Sequence, residues 1–151
     1  MKIREAARDD LPAIVELLHE DAIREVDESA VAAPSYALAF DEITADAHQQ
    51  LLVGELDGDV LATGQLSWLR RLTYVGGLMC VVESVRVRSD LRGRGLGREL
   101  MEHVLALARD RDAVRVELTT NAARGRARAF YQELGFVPSH VGMKYYLGGD
   151  R

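Results

Sequence analysis

The chain opens on an alternating run, Lys2 to Ala7, whose period of two predicts a short strand. Apolar positions then fall at Leu11, Ile14, Val15 and Leu18, the buried stripe of a helix over 8–21. Asp9 or Asp10 can accept from the open N–H groups of its first turn, where Pro12 is tolerated. No period holds from Glu25 to Tyr36, which predicts a loop or broken helix, and a second helix is expected near Phe40–Gln50. Between Leu51 and Leu69 two strands are expected around Asp57-Gly58, a dipeptide suited to the φ > 0 positions of a hairpin turn.

The run "LMCVVESVRV", Leu78–Val87, is rich in β-branched residues and reads as a central strand. A glycine-rich stretch follows, and then Leu100, Met101, Val104, Leu105 and Ala108 recur at helical spacing. "AVRVELTT" predicts the next strand. The helix expected over 125–136 carries Ala127, Phe130, Tyr131 and Leu134 on one face, with Gly135 placed to close it in left-handed conformation. "GMKYYL" is expected as a last strand. Several consecutive hairpin-like strands ahead of the glycines favour an α+β fold with a partly antiparallel sheet over a doubly wound one.

Composition narrows the class. A chain of 151 residues fits one domain, 1–151, and its 48% hydrophobic and 28% charged residues are those of an ordinary globule. The net charge of −5 argues against a nucleic-acid partner, so a local arginine cluster needs a local explanation. The opening residues hold no apolar signal-type run and no window approaches a membrane span, so no membrane partner is expected. The single cysteine, Cys80, excludes an internal disulfide and fits a reducing, cytoplasmic setting. It reads as a small strand residue, because no activating His or Lys stands beside it.

The stretch "DLRGRGLGREL", Asp90–Leu100, holds three glycines and three arginines at the mouth of a helix. Strand, glycine turn and helix together aim open N–H groups and the positive end of the helix dipole at an anion. A phosphate-binding loop of the G-x-x-x-x-G-K-[ST] type fails, since no Lys-Ser or Lys-Thr occurs here. The dinucleotide pattern G-x-G-x-x-G fails as well, since Arg98 stands where the third glycine belongs.

What remains is Arg92-x-x-Gly95-x-Gly97 after a V-x-V strand end, "VRVRSDLRGRGLG". It resembles the coenzyme A pyrophosphate loop of the GCN5-related N-acetyltransferase (GNAT) superfamily. "NAARGRARAFYQELGFVPSHVGMKYYL" is similar to the C-terminal half of that family, and "IREAARDDLPAIVELL" and "LLVGELDGDVLATGQL" to its first elements. The resemblance implies a mixed, mostly antiparallel sheet of about six to seven strands, splayed between the fourth and fifth, with about four helices. It implies acetyl-CoA as acyl donor, with Val85, Arg86 and Val87 offering main-chain groups to the pantetheine arm near a strand bulge. Arg92, Gly93, Arg94, Gly95, Leu96, Gly97 and Arg98 would wrap the pyrophosphate, and Asn121 would reach the cofactor near the splay. It further places the Tyr131 hydroxyl close to the thioester sulfur, as general acid and cofactor contact.

Acetyl transfer to an amine needs a neutral nucleophile and a protonated leaving thiolate. Glu83 is the candidate base: strand alternation sets it on an otherwise apolar face with Val81, Val85 and Val87, where desolvation would make it a better proton acceptor. An edge ion-pair role for Glu83 and a water chain as base stay open. His140 either lines the acceptor pocket or is a surface residue. His19, His48 and His103 lack ligand spacing, so no metal is expected.

The expected activity is transfer of acetyl from acetyl-CoA to a primary amine of a small molecule, by direct attack in a ternary complex. A non-catalytic acyl-CoA-binding module and a protein or peptide N-acetyltransferase are the alternatives. Asp21–Ala45 and Arg70–Leu78 are the segments in which the family varies its acceptor, and Asp21, Glu25 and Asp27 would suit a cationic amine. Homodimerisation, common in the family, is compatible with the sequence.

Overall fold

The computed structural model describes residues 1–20, 33–121 and 125–147. The chain forms two compact units, Met1–Glu117 and Leu118–Arg151. The described strands are β1 (Lys2–Glu5), β2 (Gln49–Leu56), β3 (Asp59–Arg70), β4 (Leu78–Val87) and β5 (Arg115–Leu118), and they make one sheet in that spatial order. The first three pairings are antiparallel and β4–β5 is parallel, a mixed α+β sheet. The helices are α1 (Leu11–His19), α2 (Ala33–Ala45), the single turn α3 (Thr73–Gly76), α4 (Leu96–Asp110) and α5 (Gly125–Glu133).

The β2–β3 hairpin turns where the sequence predicts, with Asp57 at φ 54° and Gly58 at φ 89°, the two left-handed positions that match strand twist. One sheet face packs the cluster of Ile14, Phe40 and Val53 under α1 and α2, with Leu11, Leu18 and Leu51 beside it. The other face meets α4, which buries Leu100, Met101, Val104 and Ala108. Burying each large side chain of that stripe contributes about 1.5–3 kcal/mol. Trp68 closes this face near the end of α4, with Nε1 donating to Gln50 Oε1 (2.8 Å) and the Arg111 guanidinium 4.4 Å above its ring.

Several expectations change. α2 starts at Ala33 and ends at Ala45, so the helix expected over Phe40–Gln50 lies earlier and Gln49–Gln50 open β2. Among the described side chains of α2 only Phe40 is buried, and one buried residue leaves no period to read. The stretch 25–32 falls outside the described residues. In α1 the buried pair is Ile14 and Leu17, with Leu11, Val15 and Leu18 half-buried. Asp10 does not cap α1; its carboxylate turns back to the Arg4 guanidinium (2.6 and 3.0 Å) and the Ala7 N–H (2.7 Å). "GMKYYL" forms no strand, and five strands rather than six to seven stand among the described residues.

β5 is four residues long and starts beside Leu78, whose carbonyl accepts from the Val114 N–H (2.8 Å). β4 has ten residues, so its second half, Glu83–Val87, runs beyond the pairing that four residues can reach. That half carries the candidate residues Glu83, Val85, Arg86 and Val87.

Candidate functional site

Thr63 pairs with Arg86 and Gln65 with Glu83 across β3 and β4. One residue, Gly64, separates the β3 partners, whereas Ser84 and Val85 separate those on β4. Two residues opposite one define a β-bulge, and Ser84 adopts φ 53° to make it. The extra residue leaves the ladder, and the Val85 carbonyl accepts from the Arg86 Nη1 (2.9 Å). Val85 lies on the α4 side: its Cγ2 and Leu100 Cδ2 would each lie 3.7 Å from a Cβ built on Gly64.

The bulge corrects the face expected for Glu83. Directly paired residues share a face, and Thr63 and Gln65 are two apart on β3, so Glu83 and Arg86 share theirs. Glu83 therefore lies opposite Val85, not beside it. It is exposed, so the expected desolvation is absent, and among the described residues its carboxylate has neither a hydrogen bond nor an ion pair. Gln65, which no local pattern singles out, stands directly across from it. Its Nε2 donates to Gln49 Oε1 (3.0 Å), and Gln49 Nε2 donates to Asp46 Oδ2 (3.1 Å). Register alone brings these residues together, and register has no local signature.

β4 feeds a short 3-10 turn, Ser89–Leu91, and then the glycines. Arg88 grips Asp90 through two bonds (2.8 and 3.2 Å), and that guanidinium holds the Asp90 carboxyl below the usual carboxylate range. Glu20, at the end of α1, accepts from the Ser89 N–H (2.9 Å) and ties the turn to the helix. Gly93 (φ 76°) and Gly95 (φ 86°) take left-handed conformations that would strain any other residue. Gly95 is the N-cap of α4 and offers no capping side chain, so the first N–H groups of the helix, Leu96, Gly97 and Arg98, stay outside intrahelical pairing. Arg94 is exposed, and the Arg92 Nε donates to the Val87 carbonyl (3.2 Å).

Asn121 and Tyr131 belong to the second unit. There Ala127, Phe130, Tyr131 and Leu134 form the half-buried face of α5, as the spacing predicts. The helix closes with Gly135 N–H to the Gln132 carbonyl (2.9 Å) and Phe136 N–H to the Tyr131 carbonyl (3.0 Å), with Gly135 at φ 94°. This closure sets the Tyr131 ring edge-on between Phe130 (5.0 Å) and Phe136 (5.7 Å). Asn121 is exposed at the end of the β5 connection. His140 is exposed and bonded to Ser139 Oγ (2.7 Å). Cys80 is buried, and burial pushes its thiol up to about 11 despite the Arg111 charge, which disfavours a nucleophilic thiolate. Asp21, Glu25 and Asp27 lie outside the described residues.

In chemical terms the first unit offers a bulged strand, an exposed carboxylate on one face, and a glycine-opened helix start without a capping side chain. Among the described residues no helix is long and apolar enough to cross a membrane.

Residues 11–136 match the sequence profile of the acetyltransferase (GNAT) family. A crystal structure of a transcriptional regulator from Bacillus halodurans C-125 is 34% identical with a TM-score of 0.90, covering 97% of this chain and 99% of that one. The 5-NmdU N-acetyltransferase of Pseudomonas phage PaMx11 is 35% identical over 83 residues, 46% of this chain and 57% of that protein. The mycothiol acetyltransferase of Beutenbergia cavernae is 37% identical over 89 residues, 59% of this chain and 28% of that protein. The matched regions thus span little more than half, or less, of these two relatives. With strand, bulge, glycine turn and helix in one succession, and a profile match over most of its length, the chain belongs to the acetyltransferase (GNAT) family.

Proposed function

We propose that the chain is an acetyl-CoA-dependent N-acetyltransferase that acetylates a primary amine of a small molecule by direct attack in a ternary complex. One observation carries the reading: β4, bulged at Ser84–Val85, leads through the Ser89–Leu91 turn and left-handed Gly93 and Gly95 to the start of α4 at Leu96, which has no capping side chain. The residues fit the donor. The first-turn N–H groups of Leu96 and Gly97 suit pyrophosphate oxygens, and left-handed Gly93 and Gly95 let the main chain approach closely. Val85, Arg86 and Val87 would hold the pantetheine amides, and Asn121 and Tyr131 are the further donor contacts that the family resemblance implies. The relative named for mycothiol supports a small-molecule acceptor.

Acetyl-CoA supplies an acyl carbon activated by a thiolate leaving group. Glu83 takes one proton from the acceptor ammonium and passes it to solvent, leaving a neutral amine. The amine lone pair forms the C–N bond, and the C–S bond breaks. The Tyr131 hydroxyl donates a proton to the departing thiolate, and the second proton lost by nitrogen restores the hydroxyl. The sum is ammonium plus thioester giving amide, free thiol and one proton. A buried, free Cys80 is consistent with a cytoplasmic setting.

Free-thiol release over a panel of amines, amino acids, aminoglycosides and peptides tests the reading, with mass spectrometry of the acceptor. Thiol release matched by N-acetylated product is expected for at least one amine. Thiol release without acetylated product, or none at all, overturns it.

A further inference from the structure

A hydrogen-bond relay crosses the sheet face that carries Glu83. Asp46 lies ahead of β2, Gln49 opens β2, Gln65 sits on β3, and Glu83 pairs with Gln65 from β4. The relay fixes which atom each amide presents. The Asp46 carboxyl is held below the usual range by the His48 N–H and by Gln49, so it is ionised and can only accept. Gln49 must therefore turn Nε2 toward Asp46 (3.1 Å) and Oε1 toward Gln65. Gln65 must in turn donate its Nε2 to Gln49 (3.0 Å), which leaves Oε1 as its open acceptor. No described residue donates to that oxygen or to the Glu83 carboxylate. Cross-strand partners hold their Cβ atoms about 4.5–5.5 Å apart. Two hydrogen-bond acceptors, one charged and one neutral, thus stand side by side on one rung of the sheet.

We propose that Gln65 positions the acceptor, and that the Gln65–Glu83 rung selects a primary ammonium. This rests on the acetyltransferase reading above. A primary ammonium has three N–H donors. One meets Glu83 and is lost as the proton, and a second meets Gln65 Oε1 and persists in the neutral amine. The retained bond fixes the direction of the nitrogen lone pair for attack. Arg86, brought to this face by the bulge and half-buried, donates its Nη1 to the Val85 carbonyl (2.9 Å).

The test compares the full chain with Gln65→Leu, Gln65→Glu and Gln49→Met, using glucosamine, spermidine and lysine methyl ester as acceptors. For any acceptor the parent turns over, Gln65→Leu should raise acceptor KM about 10- to 100-fold while the KM for acetyl-CoA and the melting temperature hold. Gln65→Glu keeps an accepting oxygen on the rung while giving up the bond to Gln49 Oε1, and should recover part of the acceptor KM. Gln49→Met frees the Gln65 amide to rotate and should raise the acceptor KM by a smaller factor, so it decides the matter if Gln65→Leu does not fold. An unchanged acceptor KM in folded Gln65→Leu, or in Gln49→Met where that variant decides, overturns the proposal while leaving the acetyltransferase reading intact. Absence of thiol release from the parent overturns both.

Discussion

Glu83 and Arg86 share one face of the sheet although they stand three residues apart on the same strand. Regular alternation would put them on opposite faces, and the left-handed Ser84 accounts for the difference. The same bulge moves Val85 to the α4 side and interrupts the β3–β4 ladder where the donor arm is proposed to lie.

Substitution at Ser84 should follow from its φ of 53°. Ser84→Gly removes a strain of about 1–2 kcal/mol and should match or exceed the parent in urea denaturation. Ser84→Val should lose a comparable amount. Deleting Ser84 restores alternation, and should abolish turnover in whatever protein still folds. A deletion variant of full activity would show that the bulge has no role in the site.

The two left-handed glycines should separate folding from binding. A Cβ at Gly93 or Gly95 meets no atom within 4 Å, so Gly→Ala costs only its backbone strain, about 1–2 kcal/mol each. The expected result is a folded protein with weakened acetyl-CoA affinity, measured by calorimetry.

Much of this half of the chain was legible in the sequence, because its signals are local. Glycine spacing, the β-branched run of Leu78–Val87 and the 3.6 period of Leu100–Ala108 all survive in the structure. The Asp57-Gly58 turn and the Gly135 closure did so for the same reason. What was not legible depends on partners far along the chain. The face of Glu83 is set by pairing with Gln65, the start of α2 by a single buried Phe40, and the direction of Asp10 by Arg4. Val141, Met143, Tyr145 and Leu147 do alternate, but a strand also needs a ladder, and these side chains are almost fully exposed.

Acid should weaken the fold through Asp10. The Arg4 guanidinium, ahead of the burial that opposes it, holds this carboxyl below the ordinary range. A lowered folded value means that its contribution is complete above the unfolded value, about 3.9, and is lost as pH falls through the folded one. Asp10→Asn should flatten that acid limb in thermal melts, and Asp10→Ala should cost about 2–3 kcal/mol at neutral pH. Parallel acid limbs for Asp10→Asn and the parent would show that the pair is not responsible.

Tyr131→Phe keeps the ring between Phe130 and Phe136 and removes only the hydroxyl. Turnover should fall about 10²–10⁴-fold, with acetyl-CoA affinity nearly unchanged. Equal turnover would remove the hydroxyl from the mechanism. Glu83→Gln should flatten the pH–rate profile, and an unaltered profile would pass the role of base to water.

The most direct test is the melting temperature with and without acetyl-CoA, in the parent and in the double variant Arg92→Glu, Gly95→Asp. A saturating ligand at about 100 times its dissociation constant adds about 2.7 kcal/mol of stability, a shift of several degrees for a chain of this size. The account predicts that shift in the parent and its loss in the double variant. No shift in the parent, or an equal shift in both, would contradict it.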